Sequence, residues 1–470
     1  MNRSTLGDQA SIVALEGKAE KLEALESDLL QQLRDVRYAL AHVRSQVANL
    51  VNRRTSISRL PDELLAEIFS HGEPAYTQRG LPSQVTVSHV SQHWRQVAIG
   101  TPMLWTRICI VGHQPVEYVR YYPLGLLDVH LDRSRSCLLH IRCDIDSDAF
   151  FRKIIAHAHR WSSFAIAHRY AYSDMLSRLL RQLIDLRAPN LRHLAIEGVP
   201  SALPTAIFTG GVPLLSSLTL SGFMLSECRI PGICHRLTVL NFVGPSYGVR
   251  TLALIQSVLT ETSSLEELGI CEFRMDVEVQ LADPVELPTL RKLDIGFIDM
   301  HSDDYVTCIC SALVMPALEC LKLREADRDQ VLHFTRYLRS PQALRYPRLQ
   351  TLILDNTVVT PELVYALPNI RHAVVISQCR DGWNMSLEES LEPVPGAPRP
   401  WPYLRSLVLD DTNPMKFRLY YIVAARIDAG IPLSAVKLKW DRQYLPGAEV
   451  LYWLQQHVRL EVFHVPRADE

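Results

Sequence analysis

Three hydrophobic rhythms divide this chain, each with its own period. From Ile12 to Val51 there is no proline, and Gly17 is the one internal glycine. Leu15, Leu22, Leu29, Val36, Val43 and Leu50 stand seven apart, and Ile12, Ala19, Leu33, Leu40 and Val47 sit three before most of them. A seven-residue apolar repeat predicts a helix with a coiled-coil seam, strongest over Leu29, Leu33, Val36, Leu40, Val43, Val47 and Leu50 and interrupted where Glu26 takes a core position. The seam predicts pairing with a second copy or with another helix. The other reading is a single amphipathic helix packed on the segment that follows. Acidic and basic residues alternate on the polar face, which argues against a membrane-surface helix.

The second rhythm is helical and short. In SISRLPDELLAEIFSHG, Pro61 suits a first helical position, Asp62 and Glu63 favour the positive end of a helix, and Leu64, Leu65, Ile68 and Phe69 recur at helical spacing before Gly72 and Pro74 stop it. A polar loop over Gly72 to Gln84 leads to a second predicted helix, Val87 to Ala98, with Val87, Val90, Trp94 and Val97 on one face. Gly100, Thr101 and Pro102 end it, and Leu104 and Trp105 follow as apolar anchors. Two short helices with this much apolar surface must bury it against each other or against a partner.

The LPDELLAEIF run, the later V-S-x-x-W-R-x-x-A and the TPMLW closure resemble an F-box domain, in the version common in mushroom-forming fungi. The resemblance implies a helical module that docks on Skp1, and through it on cullin, with Leu60, Pro61, Leu64, Leu65, Ile68 and Trp94 as the docking residues. The rest of the chain would then select a protein substrate. The alternative is a non-catalytic scaffold that forms a homodimer through the N-terminal coiled coil.

The third rhythm fills the C-terminal half. A unit P-x-L-x-x-L-x-L recurs as PNLRHLAI at Pro189, PLLSSLTL at Pro213, PTLRKLDI at Pro288, PALECLKL at Pro316, PRLQTLIL at Pro347 and PYLRSLVL at Pro402, with looser copies at His235, Ser263, Pro368 and Pro432. First leucines lie 21 to 34 residues apart, room for one strand and one returning helix per unit. The motif resembles a leucine-rich repeat. Its leucines would face a continuous core, and the polar residues between them would line an open strand face. Returning helices are expected at Ala206–Phe208, Leu252–Leu259, Tyr305–Leu313, Gln330–Leu338, Glu362–Ala366, Tyr420–Ala429 and Val450–His457. Gln378 to Pro400 reads as a surface insertion, and Leu460, Val462 and Phe463 as a last strand. Between the two regions, RICIV and LLHIRC read as strands, Val116–Leu127 and Phe150–His159 as helices.

The expected class is therefore α/β: an N-terminal helix or coiled coil over 1–55, an all-helical F-box over 56–108, a linking α/β region over 109–188, and an irregular leucine-rich-repeat solenoid over 189–470. Lys and Arg total 49 against 51 Asp and Glu, a net charge of −2, so neither a nucleic-acid partner nor a disordered acidic chain is expected. No window is apolar enough to span a membrane, and the start of the chain has no signal-peptide core, so no membrane partner is expected and the cytoplasm and/or nucleus is the expected location. Ten scattered cysteines, including Cys308 and Cys310, read as buried free thiols. His140, His157, His159 and His168 complete no ligand set, so neither metal nor cofactor is expected. Signatures for phosphate, dinucleotide, zinc-hydrolase and serine-hydrolase chemistry are missing, and Asp294, Asp355 and Asp410 read as turn formers, so no catalytic residue is assigned. Substrate-binding candidates are the residues between the repeat leucines: Arg192, His193, Arg291, Lys292, Glu319, Arg348, Gln350, Arg371, His372 and Arg405. Their basic bias points to an acidic or phosphorylated segment, with a merely solvated face as the other reading.

Overall fold

The structure is a computed structural model that describes residues 4–464 apart from 53, 73–81, 112–123, 145–147, 168–173, 199, 201, 223–226, 245–248, 251, 272–273, 276–282, 297–304, 341–345, 378–384, 394–395, 397, 412–418 and 441–447. The chain forms two compact units, Met1–Trp105 and Thr106–Glu470.

In the first unit, the heptad stretch is one helix, α1, Ser4–Asn52. At 49 residues it is about 74 Å long. It ends in tight turns, with Arg54 N donating to Val51 O and Thr55 N to Asn52 O. A single 3-10 turn, Ser56–Arg59, leads into α2, Asp62–His71. Pro61 stands one place earlier than the first helical position, as the N-cap, and its carbonyl accepts from the amides of Leu64 and Leu65. The helix expected over Val87–Ala98 is broken. Residues Ser83–Ser88 form α3, His89 and Val90 turn the chain, and α4 runs Gln92–Gly100. The break is set by Ser91, whose hydroxyl caps α4 by accepting from Trp94 N at 3.1 Å.

Among the described residues, the second unit is built on one parallel sheet of fourteen strands laid side by side in chain order. These are β1 (Arg107–Val111), β2 (Leu139–Asp144), β3 (Trp161–Ala167), β4 (His193–Glu197), β5 (Ser217–Ser221), β6 (Val239–Val243) and β7 (Glu267–Cys271). The series continues with β8 (Lys292–Gly296), β9 (Cys320–Arg324), β10 (Thr351–Asp355), β11 (His372–Ser377), β12 (Ser406–Asp411), β13 (Ala435–Trp440) and β14 (Arg459–His464). Such an order is that of an open solenoid. The segment set apart as a linking region contributes β2 and β3 to this same sheet, which begins at Arg107.

The repeat leucines explain the sheet. In every copy but the one at Pro432, where Val436 and Leu438 are buried one place earlier, the sixth and eighth residues point to one face and are buried, and they sit opposite their equivalents: Leu194 beside Leu218, Leu240 beside Leu268, Leu293 beside Leu321, Leu352 beside Ala373. The third residue, such as Leu191, Leu215 or Leu290, is buried just before the strand. Each fully buried leucine contributes about 2 kcal/mol. The returning helices pack into the same core. They include α5 (Leu124–Arg133), α6 (Asp148–Ile155), α7 (Asp174–Gln182), α8 (Leu252–Leu259), α9 (Tyr305–Ala312) and α10 (Arg328–Arg339). Four more, α11 (Pro361–Ala366), α12 (Met385–Leu391), α13 (Leu419–Asp428) and α14 (Ala448–His457), complete the series. Local signals start them: Asp327 and Gln330 form a reciprocal capping box at α10, and Thr360 followed by Pro361 begins α11.

Where a strand must turn out sharply, the next residue takes a left-handed conformation. Gly198 and Gly222 do so after β4 and β5, and Glu325 and Asn356 do so after β9 and β10 at φ of 58° and 49°.

Four further expectations need correction. Ala206–Phe208 is no helix; Ala206 instead bridges Arg229. The helix read from Phe150 ends at Ile155, followed by a 3-10 turn at Ala158–Arg160. The described part of the helix expected over Val116–Leu127 is α5, which runs on to Arg133. Within the stretch read as a surface insertion, Gln378–Pro400, the described Met385–Leu391 forms α12, with Leu387, Ser390 and Leu391 buried. Just after that stretch Trp401 is fully buried in a left-handed conformation at φ 38°. Fully buried Arg426 from α13 holds this corner, donating through Nη1 to Pro400 O and through Nη2 to Trp401 O, each at 2.9 Å. Burial lowers the Arg426 guanidinium to about 10.

Arg426→Ala leaves both carbonyls without their donors and opens a cavity, so a loss of about 3 kcal/mol is expected. Urea unfolding followed by circular dichroism reads this as a lower midpoint.

Candidate docking surfaces

The helical module owes its shape to a small core. Leu65 and Phe69 of α2 are buried with Val97 and Ala98 of α4 and with Leu104 and Trp105 of the 3-10 turn Pro102–Trp105. The Trp105 indole Nε1 donates to Ala98 O at 2.7 Å, and Phe69 and Trp94 rings lie with centroids 4.9 Å apart. Polar contacts fix the helices around it. His93 Nε2 lies 2.7 Å from Asp62 Oδ1, joining α4 to α2, and Arg95 Nε donates to Ser88 O at 2.9 Å, joining α4 to α3.

This core divides the six predicted docking residues. Leu65 has no exposed surface and holds the module together instead of meeting a partner. Leu60 and Trp94 are half-buried, and Pro61 is exposed. Leu64 and Ile68 are 52% and 47% exposed, and they stand one above the other on α2, about 100° round the helix from Leu65 and Phe69. Sequence reasoning missed Met103, 63% exposed, and Val90. The signal for Met103 was its alternation with buried Leu104 in TPMLW.

A second surface is the uncovered face of the sheet, and backbone hydrogen bonds arrange it in rows. In most units the carbonyl of the fourth residue accepts two amides from the following unit. Arg192 O accepts from Ser216 N and Ser217 N, Arg291 O from Glu319 N and Cys320 N, Glu319 O from Gln350 N and Thr351 N, and Arg371 O from Arg405 N and Ser406 N. Arg192, Arg291, Glu319, Gln350, Arg371 and Arg405 therefore stand on one exposed row just ahead of the strands. His193, Lys292 and His372 form the next row, at the first strand position. Arg348 lies off both rows, before buried Leu349.

The charges on these rows are unequal along the sheet. In the middle they neutralise one another: Lys292 pairs with Glu267, Arg291 with Glu319 at 3.4 Å, Arg324 Nε with Asp294 at 2.8 Å, and Lys322 with Asp355 at 2.9 Å. Asp294 and Asp355 thus each hold a basic side chain on the open face, Arg324 and Lys322 respectively. Gly269 leaves space there, since a Cβ on it would stand 2.3 Å from Asn241 Oδ1. On β1, β2 and β4, by contrast, Arg107 lies beside His140 in register, Arg142 is two residues further along β2, and Arg192 and His193 follow, with Glu197 at the far end of β4. Burial, Arg107 and His193 together hold the His140 pKa below its ordinary value.

Among the described residues no group of three or more His, Cys, Asp or Glu could hold a metal ion, and no helix is long and apolar enough to cross a membrane. His157 and His159 lie with ring centroids 6.3 Å apart, and His168 is outside the described residues. Cys310 is buried and its thiol is pushed up to about 12. No described cysteine forms a disulfide.

Comparison with known families matches residues 57–111 to the F-box-like family. An F-box-like domain, a non-catalytic docking module, is therefore present, and it supports a role as an adaptor toward Skp1. Comparison with curated proteins finds no match.

The two faces of α2 predict opposite mutant behaviour. Leu65→Ala is expected to destabilise the module by about 3 kcal/mol. Leu64→Asp with Ile68→Asp is expected to leave thermal unfolding of the module within about 1 kcal/mol of wild type. Calorimetry of both variants separates them.

Proposed function

We propose that this chain is the substrate-recognition subunit of an SCF-type E3 ubiquitin ligase. The observation that carries the reading is the F-box-like match at 57–111 together with the uncovered apolar stripe of Pro61, Leu64 and Ile68. On this reading Skp1 covers Leu64, Ile68 and Pro61, Leu60 and Trp94 form the margin of the contact, and Leu65 supports it from beneath. Met103 is a further candidate. Cullin follows through Skp1. The sheet is read as an irregular leucine-rich-repeat array of the kind attached to F-boxes in mushroom-forming fungi, with the domain division suggested by the sequence and a site of action in the cytoplasm and/or nucleus.

The chain would speed ubiquitin transfer by position. Tethering a substrate near a charged E2 raises its effective concentration, and no side chain of this chain has to change protonation state. The strand face is the proposed reader. Its self-paired middle offers little net charge, so an acidic or phosphorylated segment is best matched at Arg107, Arg142, Arg192 and His193.

A second reading, a scaffold that dimerises through the seam Leu29, Leu33, Val36, Leu40, Val43, Val47 and Leu50, is favoured by the exposure of that seam along α1.

Affinity capture of the tagged full chain tests the first reading. Skp1 and cullin are expected with the wild type and absent with the Leu64→Asp, Ile68→Asp pair. Retention by that pair, or no Skp1 with the wild type, defeats the docking model, and Skp1 without cullin favours the scaffold.

A further inference from the structure

The seam of α1 keeps between 46% (Leu33) and 66% (Leu15) of each residue exposed, although a helix gains most of its stability by burying such a face. Two features decide what covers it. Charge is segregated along the helix: Glu16 to Asp28 holds five acids against Lys18 and Lys21, whereas Arg34 to Arg44 holds three arginines against Asp35. Two copies side by side in the same direction would set acid against acid, while copies in opposite directions set acid against base. The second feature is Glu26, a carboxylate at a seam position. Parallel pairing in register would bury it against the same residue of the second copy, a like-charge contact in a desolvated seam.

The geometry points to an antiparallel homodimer of this chain through α1, centred on Gln31, so that each seam residue lies level with the seam residue whose number completes a sum of 62. This deepens the dimerisation reading above, rests on it, and is independent of Skp1 docking. In this register Leu15 packs on Val47 of the second copy, Ala19 on Val43, Leu22 on Leu40 and Leu29 on Leu33, and Glu26 meets Val36. The flanking positions then complement each other, with Glu16 against Arg44, Glu23 against Arg37 and Leu30 against its own copy, each ion pair formed twice by symmetry. Gly17 and Tyr38 fall at outward positions. The two α1 C-termini lie roughly 60 Å apart, so the F-box-like domains begin at opposite ends of the dimer.

Sedimentation of the purified full chain tests the proposal. The wild type is expected to be a dimer at micromolar concentration. E16R/E23R and R37E/R44E each convert four attractive pairs into repulsive ones, and each is expected to raise the dimer dissociation constant about tenfold or more. Mixing the two variants, or combining all four changes in one chain, is expected to restore association. A monomeric wild type, weakening by only one variant, or no rescue on mixing overturns the antiparallel dimer. Because rescue requires two folded chains, it also excludes loss through misfolding. Skp1 capture by the same variants is expected to be unchanged, so failure of the dimer and failure of the adaptor reading are read separately.

Discussion

The leucines at the sixth and eighth positions of the units are buried only while neighbouring strands stay in step. A slip of one residue would turn every side chain of a strand to the other face, sending leucines into water and polar residues into the core. Register therefore governs the whole of Thr106–Glu470. It sets Leu194 beside Leu218 and, by the same pleat, sets His193 beside Ser217 on the open face. The core and the candidate reading surface are two sides of one constraint. The carbonyls of Arg192, Arg291, Glu319 and Arg371 reinforce it, because each accepts two amides from the next unit and so fixes where that unit may start.

The helical module solves a different problem with the same kinds of residue. It is too small to bury apolar surface all round α2. Leu65 and Phe69 go inward with Trp105, while Leu64 and Ile68 remain outside. The hydrogen bond between His93 and Asp62 and the cap at Ser91 fix the helices so that the outer stripe is held ready for a partner.

Most of the sheet was legible in the sequence because its signal repeats. One L-x-x-L-x-L fits any buried strand, but a long series of them in phase specifies strands stacked side by side, and α8 was placed to the residue. Elements without that redundancy were harder. The apolar residues of α2 come in adjacent pairs, Leu64 with Leu65 and Ile68 with Phe69, so spacing marks a helix yet cannot say which member of each pair faces inward. Helix α12 was hidden because MSLEESL shows only two leucines four apart among acidic and polar residues, and the burial of Leu387 and Leu391 depends on neighbours far along the chain. The break at His89 and Val90 was masked by a valine spacing that continues across it. On the open face, the residue types were legible but their pairing was not: Lys292 finds Glu267, and Arg291 finds Glu319, only once the strands are laid side by side.

The order of the strands also bears on how the protein is made. After β1, each described strand of this sheet pairs with the one made just before it, and none of them waits for a partner from the far end of the chain. Synthesis can therefore extend a finished edge one unit at a time, with each new leucine row closing over the last as it leaves the ribosome. Among the described strands β14 forms one outer edge of the sheet, where Arg459 and Glu461 stand, and charge of this kind guards an open edge against pairing with another chain.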